Sequence, residues 1–424
     1  MLRAAAWCLA LGSSCVLPQV RAQALDAAEP QGELTLSQAI AAALARNPEL
    51  EGAGYELRAA EAGVVQAGLR PNPELAAGFE NFGGSGVARG TQILESTLSL
   101  SQVIELGGKR RQRVAVAGAG RDAAAASRDL RQLDLLAEVT QRFIEVASAQ
   151  EQAGLARRAR ELAEETLAAI ERRVDAARSP LAERSRARIA TSRARLAEQR
   201  AGLALDNARR QLAAQWGSAT PAFSAVHADL FELPAVEELA VLLQRLRANP
   251  DFLRLAAEGR LRAAELRLAQ AQARPNLQVG AGVRRFEDSG DAALVLNFSL
   301  ALPLSDRNQG AIAEAEAKRD LAGAGERAAL IKAQVTLSGL YRELRLAQDE
   351  TQTLRGQMVP QAREALAQTR DGYERGRFSY LELADALREL NEVQGNAIEA
   401  AASYHRLRAE IERLGSEPLA RAAR

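Results

Sequence analysis

Histidine and cysteine are scarce, two of each in 424 residues, and aromatic side chains make up only 4%. Each scarcity excludes a class of chemistry. Both cysteines, Cys8 and Cys15, fall within residues 1–24, a stretch laid out as a secretory signal. It has Arg3 in a short basic start, an apolar run from Ala4 to Leu17, and Ala22-Gln23-Ala24 as a small-x-small cleavage site. Gly12-Ser13-Ser14 before Cys15 lacks the aliphatic residue of a lipidation site. The mature chain expected from Leu25 then has no thiol for a disulfide, a thiolate metal site or a nucleophile. His227 and His405 are isolated in the sequence and read as surface or packing residues, so neither a resident metal nor a cofactor is expected. Net charge is also lacking: 55 Lys+Arg against 54 Asp+Glu gives no basic footprint for nucleic acid. After the signal no apolar run approaches the roughly 20 residues of a membrane helix. If this chain enters a membrane, strands must carry it.

What is abundant is alanine, arginine and glutamate within a 47% hydrophobic composition, which reads as long helices packed through small side chains. Landmarks recur in the same order about 200 residues apart. Arg46-Asn47-Pro48-Glu49-Leu50 returns as Ala248-Asn249-Pro250-Asp251-Phe252, and Arg70-Pro71-Asn72-Pro73 as Arg274-Pro275-Asn276-Leu277. Ser99-Leu100-Ser101 returns as Ser299-Leu300-Ala301, and Ser179-Pro180-Leu181 as Ser379-Tyr380-Leu381. The organisation expected is a signal at 1–24, a first repeat at 25–216, a linker at 217–234 forming an equatorial belt, a second repeat at 235–415 and a tail at 416–424.

Each repeat starts with an Ala-rich amphipathic helix, Leu36 to Leu69 or Val236 to Ala273, that ends before an Arg-Pro-Asn turn. Two strands follow. Leu277, Val279, Ala281 and Val283 alternate with Gln278, Gly280, Gly282 and Arg284, and Leu294, Leu296, Phe298, Leu300 and Leu302 alternate with Val295, Asn297, Ser299 and Ala301. In the first copy a strand runs from Leu75 to Phe82, and Leu94, Leu98 and Leu100 share the apolar face of the next. About ten residues per strand, one face apolar and one polar, match a strand with lipid outside and water inside. Four such strands cannot close a barrel, for which about eight is the lower limit, so the chain is expected to oligomerise.

No proline interrupts the stretch from Gly108 to Arg178, a helix of about 70 residues spanning roughly 105 Å. A half-length helix from Leu181 to Trp216 follows. In the second copy the long helix runs from about Gly310 to Arg377 with Pro360 expected to kink it, and its half-length partner covers 379–414. Two half-length helices end to end match one long one, which suits a hollow helical cylinder continuing a strand barrel.

These residues resemble the TolC-type outer-membrane efflux proteins over nearly the whole mature chain. The resemblance rests on Leu34-Thr-Leu-Ser-Gln-Ala-Ile with Asn47-Pro48, Arg70-Pro-Asn-Pro-Glu-Leu75, Leu98-Ser-Leu-Ser-Gln102, Glu105-Leu-Gly-Gly-Lys-Arg110, Asp306-Arg-Asn-Gln-Gly310 and Gly376-Arg-Phe-Ser-Tyr-Leu-Glu-Leu383. The Glu-Leu-Gly-Gly-Lys-Arg and Asp-Arg-Asn-Gln-Gly elements are most similar to the CzcC-like branch, which exports heavy-metal cations. The resemblance implies a mainly α fold with a membrane β-barrel: a homotrimer of twelve strands in the outer membrane, embedded in lipid, continued by a periplasmic α-helical barrel. It implies a tripartite pump with a periplasmic adaptor and an inner-membrane transporter of the RND class, in which this chain is a passive duct and not an enzyme. It also places acidic gate residues just after the second helical tip, at Glu382 and Asp385, where Glu382 stands for the family's Asp. They lie three apart on one helical face, and three copies would crowd six carboxylates into a narrow pore, attracting cations and raising their pKa values. Arg178, Ser179 and Pro180 at the first tip, and Arg375, Gly376, Arg377 and Phe378 at the second, are the candidate adaptor contacts.

Other readings stay open at this point. Glu382 and Asp385 would equally suit a solvated face pairing with Arg388. The cargo is a metal cation, a drug or an organic solvent. A soluble periplasmic coiled-coil adaptor would explain the signal and the helices but not the amphipathic strand pairs. A secreted hydrolase with paired carboxylates fits poorly with so few aromatic residues for a sugar cleft.

Overall fold

The computed structural model describes residues 29–415; the expected signal at 1–24 and tail at 416–424 lie outside them. In chain order the elements are β1 (Gly32–Leu34), α1 (Leu36–Arg46), α2 (Pro48–Ala67), β2 (Glu74–Glu80), β3 (Glu95–Glu105), α3 (Lys109–Asp175), α4 (Leu181–Ala214) and β4 (Phe223–Val226). After these come α5 (Leu239–Arg245), α6 (Pro250–Gln272), β5 (Asn276–Phe286), β6 (Ala292–Leu300), α7 (Gln309–Thr353), α8 (Val359–Glu374) and α9 (Tyr380–Gly415). One open antiparallel sheet has the order β2-β3-β5-β6, with β2 and β6 as its free edges. A short parallel pair joins β1 to β4.

The helix α3 runs unbroken for 67 residues, about 100 Å. The expected helices 36–69 and 236–273 are each broken instead, at Asn47-Pro48 and at Asn249-Pro250. Proline excludes the α conformation from the residue before it, and both asparagines are extended, with ψ of 121° and 140°. Each then caps the helix that follows. The Asn47 Oδ1 accepts from the Leu50 N–H at 2.9 Å, and the Asn249 Oδ1 from the Asp251 N–H at 2.8 Å. The amide groups also reach across the chain. Asn47 Nδ2 donates to the Gln215 carbonyl at the end of α4 (2.9 Å), and Asn249 Nδ2 donates to Arg413 and Leu414 at the end of α9 (2.6 and 2.9 Å). A buried asparagine thus welds the start of α2 to the end of α4, and another welds α6 to α9.

The linker 217–234 is also more ordered than a belt of small residues suggests. Its β4 pairs with β1, and Phe223 and Trp216 meet with ring centres 6.0 Å apart over a core of Leu34, Val139, Phe143 and Leu212. A second core gathers Leu242, Leu246, Leu337, Leu344, Tyr404 and Ile411 around α7 and α9.

Pro360 does not break the second long helix. A π-turn at Leu354–Met358 separates α7 from α8 and puts Pro360 in the first turn of α8, with the Val359 N–H donating to the Leu354 carbonyl. Phe231 of the linker lies against this turn with the Arg355 guanidinium 4.4 Å from its ring centre. The strand expected at Leu75 to Phe82 stops at Glu80 because Asn81 turns into the left-handed region, φ 60°.

Candidate functional site

Two regions carry the sequence-derived expectations, the sheet and the far ends of the long helices. In the sheet, register and alternation define two unlike faces. One face aligns Leu75, Leu100, Ala281 and Leu296 in one row and Ala77, Leu98, Val283 and Leu294 in the next. These side chains are uncovered: Leu75 is 71% exposed, Leu294 85%, Leu296 68% and Phe298 69%. Water alone does not stabilise so large a contiguous apolar surface. The opposite face carries Ser99, Ser101, Thr97, Gln278, Arg284 and Asn297 in the intervening rows. Gln278 Nε2 donates to Ser101 Oγ at 3.2 Å. Position 282 falls on this polar face by register and suits glycine, because a Cβ there would lie 2.6 Å from the Leu98 carbonyl oxygen and 2.8 Å from Ser99 Cβ. Among the described residues no helix is long and apolar enough to cross a membrane.

At the other end, two helix–turn–helix tips lie side by side. At the first, α3 ends with Ala177 left-handed (φ 55°), and the Arg178 N–H donates to the Arg173 carbonyl. At the second, Gly376 holds that position (φ 74°) and the Arg377 N–H donates to the Gly372 carbonyl. Both are Schellman closures. The turns have equal length, so Leu181 starts α4 where Tyr380 starts α9. Leu381, expected to match Leu181, therefore sits one position later. Glu183 is the counterpart of Glu382.

The structure gives Glu382 a local partner. Its carboxylate accepts from the Ser379 N–H (2.6 Å) and hydroxyl (2.9 Å), capping α9. The Ser379 backbone N–H, and then its hydroxyl, hold this carboxyl below the usual glutamate range. Within one chain the cap favours the charged form; crowding between copies would act in the opposite direction. Asp385 is ion-paired with Arg388. Both acidic residues are exposed and lie on one helical flank.

Of the candidate contact residues, Arg178, Pro180, Arg375, Gly376, Arg377 and Phe378 are exposed, while Ser179 is half-buried. Arg375 pairs with Asp371 at 2.9 Å. The Phe378 ring folds back onto the Cα of Gly372, where any larger residue would collide with it.

No sequence motif signals the contact between the tips. Arg173 on α3 sends Nη1 to the carbonyls of Tyr373 and Glu374 at 3.2 and 3.1 Å and lies 4.7 Å from the Tyr373 ring centre. A cation at the C-terminal end of α8 is favourably placed toward the helix dipole. The Tyr373 hydroxyl donates to Glu183 on α4 at 3.1 Å. Burial raises the Tyr373 phenol pKa, keeping it a donor. Behind this clamp Ile170, Ala187, Tyr380 and Leu383 form a small core.

The two histidines, isolated in sequence, line one cavity of about 210 Å³ at the equator. Burial lowers the His405 pKa, and its Nε2 donates to the Leu230 carbonyl at 2.9 Å. Among the described residues no three His, Cys, Asp or Glu side chains are grouped to hold a metal ion.

Against known proteins, the family described as "Outer membrane efflux protein" matches residues 39–218 and 241–415. The chain is 30% identical over 386 residues to the cobalt-zinc-cadmium resistance protein CzcC of Cupriavidus metallidurans, covering 89% of this chain and 91% of that one. It is 31% identical to the nickel and cobalt resistance protein CnrC of the same organism, over 63% of each. Among solved structures, the outer membrane protein VceC of Vibrio cholerae superposes with a TM-score of 0.76 at 21% identity, over 91% of this chain and 96% of that one.

Proposed function

The chain belongs to the outer membrane efflux protein family, and from that premise we propose that it is the outer-membrane channel of a tripartite efflux pump, a passive duct with no catalytic step. The observation that carries the reading is the exposed Leu and Phe face of the β2-β3-β5-β6 sheet, joined directly to helices about 100 Å long. Such a face suits lipid, and the sheet's two open edges suit pairing between copies. Three chains would close twelve strands, with the polar faces inside and the helices reaching into the periplasm. A soluble adaptor would have no use for that face.

In this reading the two halves are repeats of one module, and the tips meet a periplasmic adaptor and an inner-membrane RND transporter. Arg178, Pro180 and Arg377, exposed at the ends of the turns, are the contact residues we favour. Glu382 and Asp385 ring the narrow end. Since Arg388 offsets one of the two carboxylates, each copy contributes about one net negative charge there. That still favours cations. The cargo we propose is heavy-metal cations, in keeping with the resistance named for CzcC and CnrC. They would pass without being held, as the chain offers no cluster of metal-ligating residues among those described.

The test is conductance of purified protein in planar bilayers, wild type beside the double variant Glu382→Ala, Asp385→Ala. Trimer-sized, cation-selective channels with altered conductance in the variant are expected. An unchanged variant would refute the gate, and the absence of channels from folded protein would refute the duct.

A further inference from the structure

The strand ends at Glu80, Glu95, Phe286 and Ala292 lie at the end of the sheet away from the α-helices, because these join through the opposite ends of β2, β3, β5 and β6. On the polar face at this remote end one arginine organises two carboxylates from neighbouring strands. Arg284 on β5 bonds Glu95 of β3 through Nη1 (2.7 Å) and Thr97 through Nε (2.9 Å), and its Nη2 lies 3.3 Å from Glu80 of β2. Asn81 Nδ2 adds a bond to the other Glu95 oxygen at 2.9 Å. The pairings are unequal. The Glu95 side chain is 20% exposed and carries two of these contacts, one on each oxygen, whereas the Glu80 side chain is 59% exposed and has only the longer one.

We infer that Arg284, Glu95 and Glu80 form a charge collar that sets the preference for cations over anions at the outer mouth of the duct. The inference rests on the duct reading above. One guanidinium compensates one of two carboxylates, so each copy leaves one net negative charge at this level. Around it the β2–β3 connection adds Arg89 and the β5–β6 connection adds Glu287, Asp288 and Asp291, a balance of the same sign. The asymmetry gives each residue a distinct role. Glu95 is the held partner that fixes the guanidinium, and Glu80 is the carboxylate left facing the water path. Arg284 sets how much of the negative charge is expressed. With three copies about 10 Å from the axis, removing one charge per copy changes the cation-to-anion permeability ratio about threefold in 0.1 M salt.

The experiment is the reversal potential across planar bilayers under a tenfold KCl gradient, with wild type, Glu80→Gln, Glu80→Lys and Arg284→Gln. Glu80→Gln should lower cation preference about threefold and Glu80→Lys should lower it further. Arg284→Gln should raise it, since two carboxylates then stand uncompensated. The same shifts are expected in the Glu382→Ala, Asp385→Ala background, which separates the mouth from the helical tip. The exposed Glu80 side chain makes the first two variants independent of folding. Unchanged selectivity in both Glu80 variants, or shifts of the same sign for Glu80→Gln and Arg284→Gln, overturns the collar while leaving the duct standing. Absence of channels from the wild type overturns both.

Discussion

Loosening the clamp between the two helical tips should release the α8–α9 tip from the α3–α4 tip. The contact consists of the Tyr373 hydroxyl on Glu183, two Arg173 hydrogen bonds to the last carbonyls of α8, and the Arg173 guanidinium over the Tyr373 ring. A hydroxyl donating to a half-exposed carboxylate contributes about 1.5 kcal/mol, the low end for a charged acceptor. The two carbonyl bonds add about 1 kcal/mol each, and the guanidinium over the ring about 0.5–1. Tyr373→Phe keeps the ring and removes only the hydroxyl, so the ratio of joined to separated tips should fall about tenfold per copy. Arg173→Ala with Tyr373→Phe removes about 4 kcal/mol in all, and coupling between the two makes that an upper bound. In planar bilayers the single variant should spend more time in high-conductance states than wild type, and the double variant more again. Thermal unfolding should be little changed, because the main cores around Val139 and Leu337 lie elsewhere in the chain. If the double variant folds, forms channels and distributes its time among conductance states as wild type does, the contact does not restrain the tip and the reasoning fails.

The two asparagine welds should differ in cost. Asn249→Ala strands two carbonyls and loses a cap, whereas Asn47→Ala strands one carbonyl and loses a cap. Destabilisation of about 3 and 2 kcal/mol is expected, with Asn249→Ala showing the lower midpoint in thermal unfolding; the reverse order would contradict the hydrogen bonding described. At the second tip, the Glu382 cap has a pH signature. Its folded pKa is depressed, so the stabilisation is complete above the ordinary glutamate value of about 4.3 and is lost as pH falls through the folded value. The protection of amides at residues 379–383, taken relative to their intrinsic exchange rates, should therefore match at pH 7 and 5 and fall below about pH 4 in wild type. Glu382→Gln should lack that acid step, and an identical step in both proteins would remove the carboxylate from the account.

What could be read from the sequence was whatever leaves a local period. The 67-residue α3 has no proline and no competing pattern, and the strands show a period of two that survives into the register of Leu100 with Ala281 and Leu296. The errors arose where one local signal has two uses. Asn-Pro recurs as a landmark inside an apolar helical period, yet proline at the first helical position is itself a start signal that implies an end before it. Ser379-Tyr-Leu-Glu382 spells a capping box, and the same Glu382 also belongs to an acidic pair at i and i+3. The strand β4 is four residues long and owes its form to β1, some 190 positions earlier, so no window of sequence contains its cause. The same holds for the clamp. Arg173 reads as one more arginine in an arginine-rich helix, and Tyr373 as a residue before a turn. Their partnership exists only because two hairpins of nearly equal length end at the same height. Two helices of about 100 Å must reach that height together, and in the second, the π-turn before Pro360 does not interrupt the path. The tip contact is therefore a consequence of length matching, which the sequence encodes across hundreds of positions and in no single motif.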